Sequence, residues 1–443
     1  MKKTLIPDLL AGLTVSFAAL SLGAAFGIMS GRGAFAGMLG AGVIPIITSI
    51  FGGTRLQASG PTAPMTAVTA VVVAYAYEHF AGDKLLSEQY ITLILMMSSL
   101  FIALAGIFRL GRFIAMVPQV VVLGFMNGIA VLIWIDQLKK LFGLAGKTAL
   151  EGGILTNSII AFGVLGAIYA IPVMLRKVGI PESIRRFMPS IFITIVVTTI
   201  ITAVTQLDVA HVALGQSIES FSAFGDLVKT YFPSDSRLFS SEMLLSALPY
   251  ALQLCMLAYL DSLLTSLVID KMTKEKTNHN KELLAQGLAN FVAALIQSIP
   301  GAQATIRSVL LLKEGAQTRA AGVFTGVFAL LGFLLFSKLI VLIVSAVFVG
   351  VLFKAGLDVL DRDFPIAYFK NKWYTNKQRN IQLMLVLYTT IVTVVVDLNV
   401  AVISGTIIFY AGKKFLGFVD AEDDFSEVHS DELLGTDIPV AAR

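Results

Sequence analysis

"LQASGPTAPMTAVTA", residues 56–70, sets Gly60, Pro61 and Pro64 beside Ser59, Thr62 and Thr66, between two strongly apolar runs. A continuous helix tolerates that cluster badly. Proline lacks a backbone donor and clashes with the preceding turn, and glycine carries freedom that a helix must remove. The stretch reads as a break built into a membrane segment. "SIPGAQATIRS", residues 298–308, has the same character: Pro300-Gly301, then small and hydroxylated residues, then an apolar run.

The chain around the breaks is of membrane composition. Of its 443 residues 56% are hydrophobic and 14% charged, with mean hydropathy +0.82; a soluble domain carries about 25% charged residues. Apolar runs predict an all-α polytopic membrane protein with about fourteen spans. The first seven are near 8–30, 34–51, 62–78, 88–108, 113–136, 156–175 and 189–206. The second seven are near 242–270, 281–298, 303–312, 317–335, 338–357, 379–397 and 399–416. The spans at 62–78 and 303–312 are short for the roughly 20 residues a crossing needs.

Lysine and arginine collect in alternate loops, which sets orientation. With a cytoplasmic N-terminus, the inner loops hold Arg109, Arg112, Arg176, Lys177, Arg185, Arg186, Lys271, Lys274, Lys313 and Arg319, then Arg362 through Arg379. Both termini are then cytoplasmic in a cell inner (plasma) membrane, and the polar stretch around 207–240 lies outside. That stretch divides the transmembrane domain, 1–416, into repeats at about 8–206 and 242–416. An odd span count per repeat inverts the second relative to the first. Interrupted segments at the third place of both halves mark a transporter's binding site.

Two half-helices starting near Thr62 and Ala302 would expose unsatisfied N–H groups and the positive ends of their dipoles near the midplane. Facing starts make an anion site without a basic side chain. Its candidates are Thr62, Ala63 and Thr66 from the first break and Ala302, Gln303 and Ala304 from the second; Thr305 offers a further hydroxyl. The expected partner is a small inorganic anion. Arg307, one turn on, either sets the field of the site or serves a structural pair; an intramembrane cation is costly either way. Asp261 lies inside the eighth span with Thr265 one helical turn later. With carbonyls at 299–302, Gly301 included, they form a candidate coupling-ion site for sodium. The same carboxylate can instead carry a proton or bond a neighbouring helix.

Asp270 reads as a solvated helix-end charge and His279 as a surface residue. Asn280 reads as the cap of the ninth span, with Glu282 in its favourable first turn. Cys255 is the sole cysteine, and no zinc-ligand, nucleophilic or phosphate-cradling pattern emerges, so no enzyme and no organic cofactor is expected. Residues 420–443 carry eight acids and one arginine, leaving +11 of the overall +4 on the rest, spread over loops. Nucleic acid is therefore a poor partner, the lipid bilayer the obvious one, and 417–443 reads as an acidic, disordered cytoplasmic tail.

These stretches resemble the SulP (sulfate permease) family of anion transporters. The similarity runs from "PDLLAGLTVSFAALSLGAAFGI" through "SGPTAPMTAV" and "DQLKKLFG" to "LDSLLTSLVIDKMTKEKTNHNKELLAQGLANFVAALIQSIPGAQATIRS" and "KEGAQTRAAG". Within the family the Asp-Ser-Leu-Leu-Thr stretch and the Pro-Thr-x-Pro-Met-Thr segment are most similar to cyanobacterial sodium-dependent bicarbonate transporters. The resemblance implies fourteen spans in inverted seven-span repeats, split into core and gate, with the core moving like an elevator. It implies sodium at Asp261 and Thr265 and the anion near Thr62 and Ala302. Other members have glutamate where Asp261 stands and Pro-Gln where this chain has Ser21-Leu22, which favours sodium and bicarbonate over sulfate or chloride.

Gln303 departs from the small residue expected beside the anion. Most members continue into a STAS domain; either this protein lacks it or the sequence stops short of it. Dimer contacts attributed to that domain are not carried over, although a homodimer is compatible with the resemblance. Proton-coupled sulfate or dicarboxylate uptake and anion exchange are the alternative transport readings, and an anion channel the alternative of another class.

Overall fold

A computed structural model describes residues 2–144, 149–179, 181, 190–211, 221–340, 342–396 and 398–416. Arg185, Arg186, Asp397 and the acidic stretch 417–443 lie outside these residues. Sixteen α-helices occur among the described residues, and fourteen of them coincide with the expected spans. They are α1 (Lys2–Met29), α2 (Gly33–Phe51), α3 (Ala63–His79), α4 (Lys84–Ile107), α5 (Gln119–Phe142), α6 (Ile154–Lys177) and α7 (Ser190–Val204), followed after an interval by α9 (Ser241–Thr273), α10 (His279–Leu295), α11 (Thr305–Lys313), α12 (Ala320–Ile340), α13 (Ser345–Val359), α15 (Lys377–Val395) and α16 (Leu398–Leu416). The two further helices are short: α8 (Phe221–Tyr231) and α14 (Asp363–Lys370). Among the described residues six helices, α1, α2, α4, α5, α6 and α9, are long and apolar enough to cross a membrane on length and composition alone. The fold is an all-α integral membrane fold.

Several boundaries move for local reasons. The fifth span starts at Gln119 rather than 113, because a 3₁₀ turn at Leu110–Met116 and then Pro118 occupy the approach. The cap of α10 is Asn278, whose side chain accepts from Lys281 N at 3.0 Å. Asn280 instead accepts from Gly111 N at 3.1 Å and ties the end of the fourth span to the tenth helix. The second half-helix begins at Thr305, not near Ala302, because the residues before it are extended.

Those extended residues form the two-stranded pairing found among the described residues. β1 (Ser59–Pro61) and β2 (Gly301–Gln303) pair antiparallel, Ser59 opposite Gln303, Gly60 opposite Ala302 and Pro61 opposite Gly301. Buried backbone in a bilayer must find partners within the protein. Each break supplies part of what the other needs. All six residues of the pair are buried. The approach is close enough that a Cβ on Gly301 would overlap the Gly60 carbonyl, and Gly60 takes φ +142°, a conformation side chains rarely adopt.

By contacts the chain forms two units. The first, Met1–Ile114 with Ile133–Leu357, contains both breaks. In it α1, α2 and α12 pack together, and α10 packs on α4 and α2. Gly23 of α1 and Gly37 of α2 let two backbones meet: a Cβ on Gly23 would stand 2.8 Å from the Gly37 carbonyl oxygen. Small residues allow such approach where lipid offers no hydrophobic drive. The second unit, Ala115–Leu132 with Asp358–Arg443, packs the first half of α5 against α15, where Thr390 Oγ1 donates to the Gly124 carbonyl at 3.0 Å.

Gly301→Ala is expected to force the crossing apart and destabilise the purified protein by about 1–3 kcal/mol, the usual cost of overpacking. Gly163→Ala on α6, where an added Cβ meets nothing within 4 Å, is the matched control. Thermal unfolding in detergent should show a lowered midpoint for the first variant only; equal midpoints would contradict the packing described.

Candidate functional site

The two helix starts are uncapped. Thr62 is the N-cap residue of α3 and Ala304 that of α11, and neither start has a side-chain cap hydrogen bond. The first-turn N–H groups therefore meet at the strand pair with their dipole ends unspent. Buried side chains fix the geometry around them. Asn290 on α10 accepts from Gly301 N at 2.7 Å and donates to the Gly301 carbonyl at 2.9 Å, clamping both backbone groups of that residue. Ser262 on α9 accepts from Gln303 N at 3.2 Å, and Thr265 donates to the Gln303 carbonyl at 3.1 Å. Thr265 and Thr305 hydroxyls lie 2.6 Å apart. Ser308 accepts from Ala58 N at 3.1 Å.

Beneath the first break, Glu282 is wholly buried. One carboxylate oxygen accepts from Gly53 N and Thr54 N at 2.9 Å and from Gln57 Nε2 at 3.0 Å; the other accepts from Gln286 Nε2 at 2.9 Å. A first-turn acid on α10 thus acts as the anchor that shapes residues 52–57 and delivers β1 to its partner. Gln286 also donates to Ser59 Oγ at 2.9 Å, which carries the clamp into the strand itself.

Four buried polar atoms at the crossing have no hydrogen-bond partner: Thr62 Oγ1, Asp261 Oδ2, Gln303 Nε2 and Arg307 Nη1. Such orphans are rare in native interiors and demand an explanation. Arg307 is only 2% exposed and is the largest of the fully buried side chains. Its Nη2 donates to the Pro61 carbonyl at 2.9 Å, binding the second half-helix to the first break. Its Nη1 lies against Gly60, 2.9 Å from where a Cβ would stand. Asp261 and Arg307 interact electrostatically across this space, and Thr62 lies beside the Asp261 carboxylate without completing a hydrogen bond. Two donors, Thr62 Oγ1 and Arg307 Nη1, and one acceptor, Asp261 Oδ2, thus lie together where two helix dipoles end, while Gln303 Nε2 belongs to the other face of the strand pair. A small oxyanion satisfies the donors, and a small hard cation satisfies the carboxylate.

The structure places the sequence-derived candidates as follows. Thr62 and Ala63 stand at the start of α3, Ala304 and Arg307 at that of α11, with Ala302 in β2 and Asp261 and Thr265 on α9 beside them. The Gly301 carbonyl is held by Asn290. Thr66 spends its hydroxyl on the Thr62 carbonyl, at 2.7 Å. Gln303 has its backbone engaged by α9, and its amide oxygen accepts from Thr54 Oγ1 at 3.3 Å, on the face it shares with Ser59. Asn290, Ser262, Ser308 and the Glu282 clamp were not expected; the signal for them is polar residues spaced along apolar helices, as in Glu282, Gln286 and Asn290 at four-residue intervals.

Two peripheral expectations are corrected. Asp270 is not a free helix-end charge: it accepts from Thr277 N at 2.8 Å and Thr277 Oγ1 at 2.7 Å, closing the loop before α10. His279 is partly buried, with Nδ1 3.2 Å from Ser266 Oγ.

Paired broken helices with an intramembrane carboxylate and arginine between their ends define a membrane transporter with discontinuous spans. The family model of the sulfate permease family matches residues 5–389, and the chain belongs to that family. It is similar to the bicarbonate transporter BicA of Picosynechococcus sp., 32% identical over 369 residues, covering 81% of this chain and 62% of that protein. It is also similar to the BicA of Synechocystis sp., 32% identical over 426 residues, covering 90% of this chain and 68% of that one. The chain thus spans about two thirds of these relatives' length. Among solved structures, the transmembrane domain of a cyanobacterial bicarbonate transporter BicA superposes with TM-score 0.75 at 29% identity, covering 91% of this chain and 98% of that one. Murine Slc26a9, at 16% identity and TM-score 0.72, shares the fold. The family and these relatives are transporters, not enzymes.

Arg307→Lys keeps the charge, but one ammonium cannot reproduce the fork that holds Pro61 while offering a second donor. We expect its apparent affinity for small oxyanions to fall about tenfold, ~1.4 kcal/mol. The check is the rise in unfolding midpoint with bicarbonate or sulfate concentration; an unshifted dependence would place the anion elsewhere.

Proposed function

We propose that the protein is a secondary active anion transporter of a cell inner membrane, coupling sodium to the uptake of bicarbonate. The observation that carries this reading is the convergence of orphaned Arg307 Nη1 and Thr62 Oγ1 with orphaned Asp261 Oδ2 at the crossing of the two breaks. That the BicA relatives are bicarbonate transporters supports bicarbonate as the leading substrate. In this reading sodium is held by Asp261, the Thr265 hydroxyl and the Gln303 carbonyl to which Thr265 now donates. The anion lies against the starts of α3 and α11, at Thr62, Ala63, Ala302 and Ala304, with Arg307 beside it.

Charge balance explains the coupling. Asp261 and Arg307 sum to zero in a site with few other charges. An anion or a cation bound alone leaves an uncompensated charge in a low-dielectric interior, which is costly. Sodium and bicarbonate bound together restore neutrality, so each raises affinity for the other, and that reciprocity is a thermodynamic requirement. The two halves of the chain act as inverted repeats in this account, with both termini cytoplasmic, and the breaks travel with a core that slides against a gate. Relatives described as putative sulfate transporters of Bacillus subtilis, 26% and 28% identical, support a second reading: proton-coupled sulfate uptake, with Asp261 carrying the proton.

Labelled bicarbonate uptake into proteoliposomes, with an inward sodium gradient or with choline replacing sodium, tests the proposal. Sulfate is run alongside. Sodium-stimulated bicarbonate uptake is expected in the parent and lost in Asp261→Asn, while the variant keeps its elution profile and helical signal. Sulfate uptake indifferent to sodium would overturn the sodium–bicarbonate reading in favour of the second.

A further inference from the structure

A separate cavity lies away from the strand pair, within the first unit. It has a volume of about 540 Å³ and lies between α1, α7, α12 and the start of α13, lined by Phe17 and Leu20, Phe192, Phe328 and Phe333, and Phe348 among others. Its walls are hydrocarbon. Among the described residues three hydroxyl side chains reach it and spend their hydrogens on their own helices: Ser16 on the Leu13 carbonyl at 2.7 Å, Ser21 on that of Phe17 at 2.9 Å and Thr199 on that of Ile195 at 2.7 Å. Buried water needs two to four polar partners, and the described lining residues present no spare donor. Left empty, a space of this size would forfeit dispersion contacts along every wall.

The mouth points to the occupant. Phe192, Ile200 and Leu335, all lining residues, are 38%, 57% and 74% exposed on the apolar helices α7 and α12. In an integral membrane fold, apolar side chains this exposed on apolar helices are suited to bilayer hydrocarbon rather than water. At the back, Phe348 and Phe333 are 2% and 6% exposed. Across the cavity α1 and α7 touch through Phe17 and Phe192, ring centroids 5.1 Å apart. We propose that this crevice is a lipid site that takes one acyl chain of a bilayer phospholipid. The chain enters sideways from the membrane and completes the packing of α1 and α12 against α7 and α13. A lipid tail fits every observed property: it is apolar along its length, narrow, and present at saturating concentration at the mouth. The site is separate from the polar crossing and does not depend on what the crossing binds.

Phe348→Trp and Phe333→Trp place a fluorophore conservatively at the back of the cavity, and Phe125→Trp, equally buried but not among the residues that line it, is the control. Each variant is reconstituted into phosphatidylcholine vesicles with unsaturated or with dibrominated chains. The emission of the parent's two tryptophans is subtracted. Bromine quenches only on close approach. Emission from both cavity positions is expected to fall below half in brominated lipid while the control keeps its intensity, and aqueous iodide should leave all three unchanged. Full emission in brominated lipid would overturn the proposal, showing a cavity that is empty or closed by protein. Iodide quenching would overturn it in favour of water. If one cavity variant fails to fold, the other decides alone.

Discussion

Two helix breaks, some 240 residues apart in sequence, can exist in the interior of this membrane protein because they hydrogen-bond to each other and to a few buried side chains. Water is not at hand to solvate a bare N–H or carbonyl there, so a break without partners costs several kcal/mol per group. Strand pairing between residues 59–61 and 301–303 meets part of that need. Asn290, Ser262, Thr265 and Ser308 meet more of it, each with a direct bond to break backbone. What is left, the uncapped starts of α3 and α11 and the orphaned side-chain atoms beside them, is where we propose that the ligands bind. Scaffold and site are therefore one construction.

Its electrostatics follow from the same arrangement. Arg307 is held to the Pro61 carbonyl and cannot swing out to water, and Asp261 faces it across the crossing. In the proposed coupling, the two opposite charges, each with one unpaired atom, balance one another in the empty site and are balanced again when anion and cation are both bound. On that proposal single occupancy is the unfavourable state. Coupling of this kind requires no long pathway between distant sites, since the two ligands share one field.

Much of the architecture was legible in the residues. All fourteen apolar runs became helices, because a bilayer span leaves a signal some 20 residues long that local context seldom overrides. Both breaks were legible because glycine and proline punctuate so strongly. The pairing of the breaks was not, since three-residue strands carry no periodicity and their register is set by a partner in the other half of the chain. It also moved the start of the second half-helix from Ala302 to Thr305. Glu282 showed the limit of local reading: a first-turn acid on α10 fits helix electrostatics, yet its partners Gly53, Thr54 and Gln57 come from the loop after α2. Asn278 and Asn280 were exchanged for the same reason, as both suit a cap and only the fold shows that Gly111 claims the second. At the site, Thr62, Asp261, Thr265 and Arg307 were visible as polar residues out of place in apolar surroundings. Asn290 was equally out of place, but its role depends on the neighbouring Gly301 backbone.

The central claim is that the crossing is a single site for an anion and a cation that need one another. Equilibrium binding of radioactive sodium to the purified protein, with and without bicarbonate, tests it without involving transport. The account requires bound sodium at a fixed subsaturating concentration to rise when bicarbonate is added, and that rise to vanish in Asp261→Asn. Sodium binding that ignores the anion, or that survives the loss of the Asp261 charge unchanged, would contradict it.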